Sequence, residues 1–214
     1  MPEGDAVRRL AGTLDELFVG GIVSASSPQG RFASSAALLD GWVMQRVRVH
    51  GKHMFIGFVP PAPGETYEAG VALLEGAAAG SGEPIMPEDA PWPDRWVHIH
   101  LGLYGWWRFN GDETVVDEGH GVAHRIPNVP KGEWNGHSET RWGEGFGEVK
   151  AGEWEPPEPV GAVRLRMFND HAVADLVGPN RCDLITDEER IKAESKLGPD
   201  PLDAGARSDV EAME

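Results

Sequence analysis

The feature that most constrains this chain is a pair of short alternating segments hinged on Gly51-Lys52. In residues 42–50, Val43, Val47 and Val49 oppose Met44, Arg46, Arg48 and His50; in 53–59, Phe55, Gly57 and Val59 oppose Met54, Ile56 and Phe58. Alternation with a period of two on both sides of a glycine is the pattern of an antiparallel hairpin, and it places Lys52 at the tip. An exposed tip lysine is commonly solubilising; one held over a reaction centre can act on a sugar or its phosphate.

Similar segments recur. Trp96-Val97-His98-Ile99-His100-Leu101 reads as a strand, and its two histidines, two residues apart, share one face. Gly102-Leu103-Tyr104-Gly105 then forms a turn with a large apolar and an aromatic residue at its tip, and 106–110 resumes as a strand. A Leu-Tyr tip is costly in water unless it is buried or binds something; apolar wedges that unstack nucleic acid are built this way. Residues 22–26 form a short strand, followed by the turn Pro28-Gln29-Gly30-Arg31-Phe32, whose Arg31 is either a phosphate contact or a solvated charge. Residues 161–168 and 171–176 form a second hairpin turning at Asn169-Asp170. The 28 glycines and 17 prolines among 214 residues suit such a turn-rich, mainly β chain.

Two helices flank these strands. In 3–19, Val7, Leu10, Leu14, Leu17 and Phe18 recur at three- and four-residue spacing, and Gly20-Gly21 end the segment. Later, Thr186 followed three residues on by Glu189 is a capping-box signature. The segments 60–95 and 111–159 are polar, acidic and rich in glycine and proline, and read as insertions.

Charge and composition exclude several classes. No apolar run is long enough to span a membrane, and no basic-then-apolar leader is evident, so a cytoplasmic protein is expected. A single cysteine, Cys182, can make neither an internal disulfide nor a cysteine-rich zinc site, and is expected to be a small buried residue. The net charge of −16 argues against binding phosphates. The acids, however, crowd 65–94, 112–158 and the tail, whereas Arg31, Arg46, Arg48, Lys52 and Arg108 lie in the regular stretches.

The opening Met1-Pro2-Glu3-Gly4-Asp5 carries a chemical possibility. Once Met1 is removed, Pro2 presents a secondary amine, which on attacking a sugar aldehyde carbon gives an iminium ion that serves as an electron sink. Glu3 is the adjacent carboxylate, placed to move protons.

Pro2-Glu3-Gly4-Asp5 leading a helix, Gly51-Lys52-His53 at a hairpin, His100 through Gly105, and the run from Asp175-Leu176-Val177-Gly178-Pro179 to Leu197-Gly198-Pro199-Asp200-Pro201-Leu202 come in one order. Together they resemble the formamidopyrimidine-DNA glycosylase / endonuclease VIII superfamily, with the Leu103-Tyr104 tip closer to the endonuclease VIII branch. The resemblance implies a two-layer β-sandwich N-terminal domain with flanking helices, led by an N-terminal helix, over 1–178. Residues 179–214 are then a linker and the start of an incomplete helix–two-turn–helix domain, and with one cysteine there is no family zinc finger, hence no cofactor in this chain. Pro2 resembles the nucleophile that attacks C1′, Glu3 the acid/base that protonates the opening sugar, and Lys52 the hairpin lysine of glycosylase chemistry. His100 resembles a phosphate-contacting histidine, and Leu103 and Tyr104 resemble residues that fill the gap left by a flipped base. Arg31 is a further candidate DNA contact. The implied partner is damaged DNA, met as a monomer, nucleoid-associated when acting and away from any membrane; the implied activity is base excision with AP-lyase cleavage. Two other readings stand: a non-catalytic DNA-binding relative, and a metal-binding β-sandwich using His98 and His100 with His120 or His124 and a carboxylate.

Overall fold

The computed structural model describes residues 3–61, 92–111, 125–127 and 155–197, and the side chains of 6–61, 92–111 and 155–197. In chain order the elements are α1 (Glu3–Phe18), β1 (Ile22–Ser26), α2 (Ala33–Leu39), β2 (Trp42–His50), β3 (His53–Val59), β4 (Arg95–His100), β5 (Trp106–Gly111), β6 (Arg125–Pro127), β7 (Val163–Phe168), β8 (Ala172–Val177), β9 (Arg181–Ile185) and α3 (Asp187–Glu194). The expected mainly β architecture with flanking helices is the one observed.

The strands run in the order β6-β5-β8-β7-β1-β2-β3-β4-β9, every neighbouring pair antiparallel. They divide into two sheets that share β1. Ile22 and Val23 pair with β2, whereas Ser24, Ala25 and Ser26 pair with β7. The inner faces enclose one core: Met54, Ile56, Val97 and Ile99 from the β2-β3-β4-β9 side meet Trp107, Leu165, Met167 and Leu176 from the other. The helix expected at the N-terminus adds its apolar stripe to this core, with Leu10, Leu14 and Phe18 at most 1% exposed. Full burial of each such side chain is worth about 1.5–3 kcal/mol. After α1 the chain is tied to β2, since Gly20 N–H donates to Met44 O (2.8 Å) and Met44 N–H to Gly21 O (3.0 Å).

β2 departs from simple alternation. A register shift between Met44 and Arg46 turns Met44 into the core, fully buried, beside the half-buried Val47 and Val49 that alternation puts on the opposite face. An extra residue in one strand of an antiparallel pair has this effect. The second hairpin is as expected. Asn169 is buried and closes it: its side-chain oxygen accepts from His171 N–H (3.0 Å) and Ala172 N–H (2.8 Å), and its amide donates to Leu17 O (2.9 Å), joining the hairpin to α1.

Three elements were not expected. The first is α2. The second is the three-residue strand β6, within the segment 111–159 that reads as an insertion. The third is β9, which lies beyond residue 178 in the stretch assigned to a linker, yet pairs with β4 over five residues from Trp96↔Ile185 to His100↔Arg181. The remainder of the two supposed insertions, 62–91, 112–124 and 128–154, lies outside the described residues.

The outer face of the β5-β8-β7 side carries a buried ionic row. Register puts Arg108, Asp175 and Arg166 side by side on three strands. Arg108 Nη2 donates to Asp175 Oδ2 (2.5 Å), and Arg166 Nη1 lies 3.6 Å from Asp175 Oδ1, while Arg166 Nη2 donates to Pro157 O (2.5 Å). Asp175 is 1% exposed. Removing one partner of a buried charge cluster leaves the others uncompensated. Asp175→Asn is therefore expected to lower the unfolding free energy by about 3–5 kcal/mol, read from the urea midpoint at constant m-value; a loss below about 1 kcal/mol would show that the arginines are neutralised in another way.

Candidate functional site

The outer face of the β2-β3-β4-β9 side is built from polar rows that cross the strands. The row nearest the 51–52 turn reads His50↔His53↔His100↔Arg181, and the next reads Arg48↔Phe55↔His98↔Asp183. Polar residues sit here because each strand alternates and its other face is committed to the core. Gly51, at φ 57°, supplies the left-handed residue that the tight turn needs. Lys52 is exposed at that turn, next to the His100 row.

The row is electrostatically strained toward neutral imidazole. His53 Nδ1 and His98 Nε2 are 2.8 Å apart, so one ring donates and the other accepts. His98 stacks on Phe55 (4.3 Å between ring centroids) and is 2% exposed. Burial, then repulsion from His100, Arg181 and His50, brings His53 down to about 4. Burial, then Arg181 and His53, brings His98 down to about 4 despite the opposing pull of Asp183. His100 is lowered by burial, then by Lys52 and Arg181. Arg181 is held by the β9 residue of the next row, Nε to Asp183 Oδ2 at 2.7 Å.

Beside this face the turn after β4 meets the turn before β9. Asn180 N–H donates to Leu101 O (3.4 Å), and a Cβ at Gly102, whose φ is 66°, would overlap the Asn180 carboxamide. Gly102 is thus required both for its conformation and for the close approach. The tip it supports is not folded onto the core: Leu103 is 46% and Tyr104 76% exposed.

At the far end of the same face, Arg190 joins α3 to the sheet. Arg190 is buried, lies 4.7 Å from the Trp96 ring centroid, and is ion-paired to Asp187 (2.7 Å) and Glu194 (2.6 Å). Arg46 stacks on Trp92 at 4.4 Å. The Thr186 cap forms as a complete capping box.

Over 206 residues, 96% of this chain, the sequence is 32% identical to Endonuclease 8 1 of Mycobacterium tuberculosis (strain ATCC 25618 / H37Rv), and equally so to the protein of that name from Mycobacterium bovis. The chain belongs to the formamidopyrimidine-DNA glycosylase / endonuclease VIII family. It spans about half the length of the curated relatives it matches, 50% in each case. No family model matches it. Among solved structures it is similar to Lactococcus lactis Fpg in complex with abasic-site DNA, at 14% identity and a TM-score of 0.45 over 92% of this chain and 46% of that one. It is similar also to MutM in complex with DNA containing carbocyclic 8-oxo-G, at 14% identity and a TM-score of 0.44 over 90% and 46%.

Of the residues that family resemblance picks out, Lys52 and His100 come together at one end of the polar face, and Leu103 and Tyr104 project from the adjoining turn. Arg31 is exposed elsewhere, in a turn tied to β7 by Gln29 N–H to Val163 O (2.9 Å) and Arg164 Nε to Gln29 Oε1 (2.8 Å). Pro2 lies outside the described residues; Glu3 opens α1, and its side chain lies outside them too. Sequence reasoning missed Arg181 and Asp183, although the alternation Arg181-Cys182-Asp183-Leu184 marks a strand. Cys182 is buried as expected, and burial, first of all, pushes its thiol up to about 12. Among the described residues no group of three or more histidine, cysteine or acidic side chains is arranged to hold a metal; His120 and His124 lie outside them. No helix among the described residues is long and apolar enough to cross a membrane.

The histidine pair makes stability pH-dependent. Both rings titrate near 4 when folded and near 6.5 in their ordinary state, so in that window the unfolded chain binds more protons. The contribution is complete above about pH 6.5 and is lost as pH falls toward about 4. Urea unfolding of wild type and His53→Gln across this window should show a shallower acid-side loss in the variant; parallel curves would show that the imidazoles are not the cause.

Proposed function

We propose that this chain carries out base-excision chemistry on damaged DNA, with oxidised bases the best candidates, and cleaves the resulting abasic site as an AP lyase. The observation that carries this reading is the 206-residue match to Endonuclease 8 1 across nearly all of the chain. The grouping of Lys52, His100 and an exposed Leu103-Tyr104 tip on neighbouring turns supports it.

In this reading the secondary amine of Pro2, exposed by removal of Met1, attacks C1′ as the glycosidic bond breaks and the base departs. Glu3 donates a proton to the opening sugar. The resulting iminium ion acidifies C2′; loss of that proton breaks the C3′–O bond to phosphate, and hydrolysis of the iminium returns the amine. Lys52 and His100 hold the phosphates flanking the lesion, Arg31 meets the backbone elsewhere, and Leu103 and Tyr104 occupy the space vacated by the extruded nucleotide. No cofactor is needed for these steps. The protein acts on DNA as a monomer in the cytoplasm.

The test is borohydride trapping on an abasic duplex, with peptide mapping of the adduct. A covalent cross-link at Pro2 is expected, with Met1 absent from the active protein. Glu3→Gln should abolish excision of a damaged base yet retain part of the cleavage at a preformed abasic site, since an open aldehyde needs the proton less. DNA binding without any trapped adduct would instead identify a non-catalytic DNA-binding relative.

A further inference from the structure

Between β9, α3 and the histidine pair lies a cleft of about 330 Å³. Its size falls at the lower end of small-molecule sites, which run from roughly 300 to 1,000 Å³. We propose that this cleft is an anion site that takes a phosphate group, either of a nucleotide or of a nucleic-acid backbone. The inference is independent of the glycosylase reading.

Charge is the first support. In a chain of net charge −16, the cleft is lined among the described residues by Arg181, Lys192 and Lys196 with the acid Glu189, and Asp183 lies beside it, ion-paired to Arg181. Glu189 is already engaged, its Oε2 accepting Thr186 N–H at 2.9 Å. Among the described residues Arg181 is bonded to Asp183 through Nε, and its terminal nitrogens are the groups it can turn to a further acceptor. Lys192 and Lys196 are exposed, one helical turn apart in sequence, on the wall opposite the sheet. Guanidinium and ammonium groups converging on one space are the usual means of binding phosphate.

The histidines are the second support. His98 is 2% exposed, lines the cleft together with His53, and lies 2.8 Å from it, Nε2 to His53 Nδ1. In either tautomer of the hydrogen-bonded pair, one ring N–H remains for a further acceptor. The pair therefore offers an anion a donor without adding charge near neutrality. Ile185, Ala193 and Leu197 complete the lining with apolar surface, suited to a sugar or base carried by the phosphate.

An anion here must raise the histidine pKa values, because it favours imidazolium. The groups that set this balance are His53 on β3, His98 and His100 on β4, Arg181 and Asp183 on β9, Lys52 at the turn, and Glu189, Lys192 and Lys196 on and after α3.

The test follows the imidazole NMR resonances of His53 and His98 in the full chain as inorganic phosphate is added. Saturable shifts are expected, with both rings titrating at higher pH when phosphate is present. Lys192→Ala/Lys196→Ala should weaken binding about tenfold, and Arg181→Ala by a similar factor. Arg95→Ala, at the opposite end of β4, should change nothing. A deoxynucleoside 5′-monophosphate and an intact duplex form the further arms. Release of phosphate by the duplex assigns the site to a nucleic-acid backbone; release by the mononucleotide alone assigns it to a free nucleotide. Imidazole resonances that do not respond to phosphate, or an affinity unchanged in Lys192→Ala/Lys196→Ala, would overturn the proposal.

Discussion

Five residues of β1 hold the two sheets together. Ile22 and Val23 bond to β2, and Ser24 to Ser26 bond to β7. One strand serving two sheets must bend between them, and that bend sets how the two inner faces meet. Ala25 N–H is additionally held by Asp40 Oδ1 at 2.9 Å, and Gly41 N–H by Val23 O at 2.9 Å, so the turn after α2 clamps the strand where it changes partners. With both inner faces committed to the core, the polar residues of β3, β4 and β9 have only the outer face available. The histidine rows are a consequence of that geometry.

The two outer faces handle buried polarity differently. Arg108, Asp175 and Arg166 answer burial with opposite charge, through a short Arg108–Asp175 contact and a longer one from Arg166. His53 and His98 answer it by giving up charge, each falling to about 4. A buried ion cluster rarely adds net stability but is expensive to break. A neutral histidine pair can regain its charge when an anion arrives. The first arrangement suits a fixed scaffold, and the second suits a surface that meets phosphate.

Much of this was legible in local pattern. The three- and four-residue spacing of Val7, Leu10, Leu14 and Leu17 gave α1; alternation around Gly51-Lys52 and Asn169-Asp170 gave two hairpins; Thr186 and Glu189 gave the start of α3. The misses have physical causes. In α2, Ala33–Leu39 is short, small in side chain and lacks a side-chain cap hydrogen bond, so no signal rises above a loop. The bulge that buries Met44 is a hydrogen-bonding event without a composition. β9 is short and follows Gly178-Pro179, which masks its alternation. The His53–His98 contact joins residues 45 positions apart, and no local pattern reports it. Motifs in order singled out Lys52 and His100, and strand register alone sets Arg181 in the row of His100.

We propose that the end of the sheet bearing Lys52 and His100 meets DNA phosphate, although the net charge of the chain is −16. The most direct measurement is duplex affinity against salt, by fluorescence anisotropy, for an abasic duplex with wild type, Lys52→Ala and Arg95→Ala. Loss of one phosphate contact reduces the slope of log K against log salt by about one. That reduction, with weaker binding, is expected for Lys52→Ala, and an unchanged slope for Arg95→Ala. Identical slopes for all three proteins would contradict it.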